Sequence, residues 1–193
     1  MYSTETTINQ TGRETLLEIA RSSIQHGLDH GKALEVDTAD YPDELQAERA
    51  CFVTLQIAGE LRGCIGHLQA MQPLIDDVAE NAWAAAFQDP RFAPLSQAEY
   101  PRLEIHISVL SPPQAMTFTS QQNLLAQIRP GIDGLILEDG YRRGTFLPSV
   151  WKSLPEASDF LAHLKLKAGF PANYWSDKIR ISRYTSESIT DAS

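Results

Sequence analysis

Apolar residues recur at helical spacing in some stretches of this chain and alternate with polar ones in others. Leu16, Leu17, Ala20, Ile24 and Leu28 lie on one side of a 3.6-residue repeat that ends near Gly31, and Thr11-Gly12-Arg13-Glu14 precedes them in the form of a capping box. A broader stripe, Leu74, Ile75, Val78, Ala79, Ala82, Trp83, Ala86 and Phe87, is opened by Pro73 and closed at Asp89-Pro90. Ser120 heads a short helix from Gln121 to Ile128. Pro155 opens a last one through Phe160, Leu161, Leu164 and Ala168, which Gly169 stops.

Strand patterns fall between these helices. Cys51-Phe52-Val53-Thr54-Leu55-Gln56-Ile57 is an apolar, β-branched run; Ala58-Gly59-Glu60 is turn-prone, and Leu61-Arg62-Gly63-Cys64-Ile65-Gly66 returns as the second arm of a hairpin. Leu103 to Leu110 alternates strictly. A second hairpin pairs Leu135-Ile136-Leu137 with Thr145-Phe146-Leu147 through Asp139-Gly140 and Gly144, and Lys178 to Tyr184 forms a terminal strand. The order predicts an α+β fold, mainly antiparallel sheet with flanking helices, rather than the β-α-β alternation of a parallel sheet. Residues 1–10 are expected to be a disordered arm, 11–184 a single domain and 185–193 a disordered tail.

Composition narrows the classes. At 193 residues and 42% hydrophobic, the chain suits one domain or two small lobes. A formal charge of -9 argues against nucleic acid, whose phosphates require basic clusters. No apolar run reaches membrane-spanning length and the first residues lack a leader pattern, so a soluble protein without a membrane role is expected. Two cysteines without CxxC spacing provide neither a disulfide framework nor a structural zinc site, which fits a reducing cytoplasm.

Candidate chemistry gathers on two strands and one helix exit. Alternation along the hexapeptide puts Arg62 and Cys64 on one face, where a guanidinium beside a thiol favours the nucleophilic thiolate. Gly63 and Gly66 permit close approach by a substrate or by another backbone. Cys64 is thus a reactive thiol or a small buried hydrophobe at a tight hairpin. Glu104, His106 and Ser108 project from one side of their strand, either as a carboxylate-oriented general base with a hydroxyl beside it or as a half-solvated sheet face. Asp89 and Arg91 flank a rigid proline and either clamp the loop or present charge to a ligand. Hairpin register sets Cys64 opposite Val53 or Thr54 and Cys51 opposite Gly66 or His67. The two thiols are then about 10 Å apart, too far for a bridge. His26 and His30 read as solvated cations at a helix end, since nothing nearby supplies further metal ligands. Phosphate-cradling, GxSxG and HExxH motifs are absent.

Phe52-Val53-Thr54-Leu55, Leu61 through Gly66, Asp89-Pro90-Arg91-Phe92 and Ser108-Val109-Leu110-Ser111 together resemble the AMMECR domain family. Gly134-Leu135-Ile136-Leu137, Phe146-Leu147-Pro148-Ser149-Val150 and Lys167-Ala168-Gly169-Phe170 extend the resemblance over nearly the whole chain. It implies a compact α+β fold of two sub-lobes with a cleft between them, the hexapeptide near its wall, and no settled reaction or cofactor. Prokaryotic members are called protein A of the AmmeMemoRadiSam system, after a Memo-type metalloprotein and a radical SAM protein that accompany them. Two functions are therefore expected as alternatives. One is a cysteine-dependent enzyme acting through Cys64 on a small electrophilic or anionic substrate, with Arg62, His106 and Glu104 as catalytic helpers and Gly63, Gly66, Asp89, Arg91 and Ser108 at the substrate. The other is a non-catalytic module that docks one of those two partners.

Overall fold

The computed structural model describes residues 7–191, which divide into two compact units. One unit runs to Ser111 and resumes at Glu187; the other spans Pro112–Ser186. Each carries its own four-stranded sheet and core.

The first unit begins with α1 (Gln10–His30), whose N-cap is Asn9: its side chain accepts from the Gly12 N–H at 2.9 Å. The helix thus starts ahead of the expected Thr11 box. Ile8, 1% exposed, already belongs to the core, so the expected arm does not extend through residues 7–10; residues 1–6 lie outside the described part. After the short α2 (Asp43–Gln46) come β1 (Cys51–Ile57), β2 (Glu60–Gly66), α3 (Leu74–Phe87) and β3 (Glu104–Leu110). Ala58 and Gly59, with φ of 54° and 77°, make the two-residue turn between β1 and β2, a backbone hand that matches strand twist. Cys51, Val53 and Leu55 of β1 and Ile105, Ile107 and Val109 of β3 are fully buried beneath α1 and α3. The intervening positions form the opposite face.

The chain returns to this unit at its end. Ser186–Thr190 forms a strand beside β3, giving the order β2-β1-β3 and then this strand. The expectation of disorder from residue 185 is corrected for 185–191. Ile189 is buried, Arg13 pairs with Glu187, and Arg21 pairs with Asp191 at 2.5 Å. A single apolar side chain in Ser-Glu-Ser-Ile-Thr leaves almost no periodic signal, and the strand is held by partners more than 160 residues away in sequence.

The second unit contains β4 (Gln114–Ala115), α4 (Gln121–Gln127), β5 (Gly134–Asp139), β6 (Arg142–Phe146), α5 (Ala157–Lys167) and β7 (Arg180–Tyr184); the last strand of the chain, Ser186–Thr190, is β8. Its sheet order is β4-β7-β5-β6, all pairs antiparallel. Leu135, Leu137 and Ile181 meet Phe160, Leu161 and Leu164 of α5, and Trp151 stacks on Phe160 with centroids 3.8 Å apart. Arg142 and Arg143, at the start of β6, are both engaged: Arg142 donates to Gly169 O and lies over Phe170, and Arg143 pairs with Glu138 at 3.5 Å. Antiparallel sheets flanked by helices confirm the α+β class. Among the described residues, no helix is long and apolar enough to cross a membrane.

Candidate functional site

Register decides which side chains meet. Phe52 pairs with Gly66 on β2 and Ser108 on β3; Thr54 pairs with Cys64 and His106; Gln56 pairs with Leu61 and Glu104. Directly opposed residues share a face. Gly66, Cys64, Glu104, His106 and Ser108 therefore belong to one surface of the sheet, the face turned away from α1 and α3. Its middle row reads Cys64, Thr54, His106 across three strands.

Arg62, which alternation put beside Cys64, is missing from that face. The register slips between Leu55 and Gln56, so Leu55 faces Gly63, Gln56 faces Leu61, and Arg62 is the extra residue of a β-bulge. The assumed alternation fails there. Arg62 does not polarise Cys64: its Nε donates to Glu99 Oε1 at 2.7 Å, and its Nη2 donates to Glu99 Oε2 and Ala93 O. Arg62, with a second donor from the Ser96 backbone, holds the Glu99 carboxyl down at about 2. The Ser96–Glu99 pair also closes its own turn, the Ser96 N–H donating to Glu99 Oε2 at 2.9 Å.

Gly63 points the other way. A Cβ there would lie 2.0 Å from the Ala85 carbonyl oxygen of α3. At Gly66 it would lie 2.4 Å from Cys51 O and 2.5 Å from the Phe52 ring. Both glycines admit the protein's own backbone, the second of the two approaches expected of them.

Asp89 closes the free edge of β2. Its Oδ2 accepts the Cys64 N–H at 2.9 Å, while the Arg91 backbone N–H, Nε and Nη2 donate to the same carboxylate at 3.1, 3.0 and 2.7 Å. An outer strand otherwise offers unpaired N–H groups to any passing chain. The Arg91 guanidinium, aided by the two backbone donors, holds the Asp89 carboxyl well below the usual carboxylate range. Asp89 raises Arg91 in return, and the Cys64 sulfur adds a smaller contribution. Arg91 thus sits beside the Cys64 strand through Asp89, and its side chain is 54% exposed.

On the polar face the Thr54 hydroxyl donates to Cys64 Sγ at 3.1 Å. Thr54 was no sequence candidate, although counting back from the hairpin turn set it opposite Cys64. His106 lies on the far side of Thr54, so it does not contact the thiol directly; its Nε2 is buried without a hydrogen-bond partner among the described residues. Both cysteines are free, in the register expected. Cys51 is more than packing: its N–H and Sγ both lie within 3.1 Å of Asp77 Oδ2, and burial followed by the Asp77 charge pushes its thiol up. Asp77 Oδ1 accepts from His67 Nδ1 and Gln72 Nε2.

This architecture, two α+β units with a bulged, glycine-bracketed cysteine strand clamped by an Asp-Pro-Arg loop, defines a recognisable class. A family model, AMMECR1, matches residues 17–189, and the chain belongs to that family. It is 38% identical to a protein of Methanothermobacter thermautotrophicus over 179 residues, 90% of this chain and 91% of the relative. A Thermotoga maritima protein is 37% identical, covering 91% and 97%. The crystal structure of the uncharacterized protein PH0010 from Pyrococcus horikoshii superposes with a TM-score of 0.84 at 33% identity, over 94% of this chain and 92% of that one.

Proposed function

We propose that the polar face of the first sheet is a small-molecule site, located in the cytoplasm, in which Cys64 attacks an electrophilic substrate. One observation carries this: the Thr54 hydroxyl donates to Cys64 Sγ at 3.1 Å, in a row that ends at His106. A hydroxyl donor stabilises negative charge on sulfur, the form that reacts. Arg91 lies at the strand edge to draw in an anionic group of the substrate. His106 stands one strand beyond Thr54, so its role is toward the substrate, as a hydrogen-bond partner or proton carrier, rather than toward the thiol. Burial of its unpaired Nε2 is costly until a ligand satisfies it.

Iodoacetamide labelling at fixed pH tests the thiol. Cys64, half-buried, is expected to be alkylated while Cys51, fully buried and donating to Asp77, is protected. Thr54→Val keeps the shape, removes the donor and should slow Cys64 labelling several-fold. Complete protection of Cys64, or an unchanged rate in Thr54→Val, rejects the proposal.

Exposed Leu61 on β2 and Met71 in the segment after it, 41% and 78% accessible, favour a second reading. In it the unit docks a Memo-type metalloprotein or a radical SAM protein without chemistry of its own. Capture of the Memo-type partner by wild type and equally by Cys64→Ala, with no thiol-dependent turnover, is the outcome that selects it.

A further inference from the structure

The end of α1 holds a pair of imidazoles whose proton positions are set by the backbone. Gly31 takes φ 75°, and its N–H closes on Gly27 O at 2.8 Å. That left-handed reversal brings the Lys32 carbonyl back over the helix, where His26 Nδ1 lies 2.9 Å from it. His30 Nδ1 lies 3.3 Å from His26 O. A carbonyl oxygen only accepts, so each Nδ1 is the donor. A neutral imidazole has one ring proton; both Nε2 atoms are consequently bare lone pairs. The rings stack with centroids 4.3 Å apart and planes 22° from parallel, His26 half-buried and His30 exposed.

We propose that His26 and His30 form a two-imidazole site for a divalent transition-metal ion, nickel(II) or copper(II). Metal-bound histidines characteristically donate their other ring N–H to a carbonyl or carboxylate, the arrangement both rings already have. Two nitrogens in adjacent positions on a metal, each about 2.0–2.1 Å from it, stand about 3 Å apart, so both rings turn out of their stack until the two Nε2 lone pairs converge, a movement open to side chains at a helix end. Among the described residues no group of three or more His, Cys, Asp or Glu side chains could hold a metal, so water completes the shell. Nitrogen-only ligation selects late transition metals over magnesium or calcium, which prefer oxygen. The local field suits a cation. Helix carbonyls converge at this terminus, and Lys32 is paired with Glu35 at 2.8 Å. Lys32, first through its hydrogen bond and then through its charge, holds the Glu35 carboxyl below its ordinary value, so the two side chains offset each other's charge. Sequence spacing alone gave no reason to prefer a metal, because the tautomers come from a turn at Gly31.

The test uses untagged protein, nickel(II) chloride and two readouts. Long-range proton–nitrogen NMR of the metal-free protein is expected to show Nδ1–H tautomers at both His26 and His30. Calorimetry should give one nickel per chain, with His26→Gln and His30→Gln each weakening binding about tenfold or more, since the second ligand acts at high effective concentration. His163 is the control: its Nδ1 also meets a carbonyl, Asp159 O at 2.9 Å, but no second ring stacks on it, and His163→Gln should leave the titration unchanged. Circular dichroism confirms that the variants stay folded. Nε2–H tautomers at either position, or nickel binding that survives both single variants, overturns the site.

Discussion

Gly63→Ala is expected to destabilise the protein by about 3 kcal/mol or more, the upper end of what overpacking a core costs. The added methyl would sit 2.0 Å from the Ala85 carbonyl oxygen. No side chain can rotate out of the way, because the obstacle is helix backbone. Either β2 lifts off α3 or the helix shifts, and both moves open the core around Val53, Leu55 and Ala82. Gly31→Ala is the contrast: nothing lies within 4 Å of its Cβ, and the cost is limited to a left-handed backbone at φ 75°, about 1 kcal/mol. Urea unfolding of the two variants checks the ranking. A Gly63→Ala protein within about 1 kcal/mol of wild type would mean that β2 is not seated on α3 as described.

Asp89→Ala is expected to cost about 2–3 kcal/mol, since it strands the Cys64 N–H and removes the partner of Arg91. The half-exposed guanidinium recovers water, which keeps the figure below that of a fully buried broken pair. The same carboxylate makes stability depend on pH. Asp89 and Glu99 both titrate lower in the folded protein than in the unfolded chain. Their contribution is therefore fully present above the unfolded carboxylate values of about 4. It falls away as pH drops through the folded values, at about 2 for Glu99 and lower for Asp89. Urea midpoints measured from pH 6 downward to about 2 should fall steeply below about pH 4, and Glu99→Gln should flatten part of that slope. Equal slopes in wild type and Glu99→Gln would detach Glu99 from the acid response.

The sequence by itself determined the elements whose partners are close by. Helical stripes at Leu74 to Phe87 and Phe160 to Ala168, strict alternation at Leu103 to Leu110 and the hairpin turn at Ala58-Gly59 all emerge as anticipated, because periodicity reports which face meets a core and two-residue turns demand φ > 0. Even the cross-strand position of Cys64 followed, since register propagates outward from the turn. Three matters belonged to tertiary structure alone. A bulge at Arg62 leaves no mark in hydrophobic pattern, yet it turned that guanidinium from Cys64 to Glu99, 37 residues away. What fills the open side of a glycine depends on which backbone packs against it, here Ala85 for Gly63 and Cys51 for Gly66. The final strand has one apolar residue and is fixed by Arg13 and Arg21 on the first helix, a pairing that only the folded chain brings into reach. Local pattern encodes burial and turns, whereas charge partners and close backbone approach are long-range contacts and are decided when the elements pack.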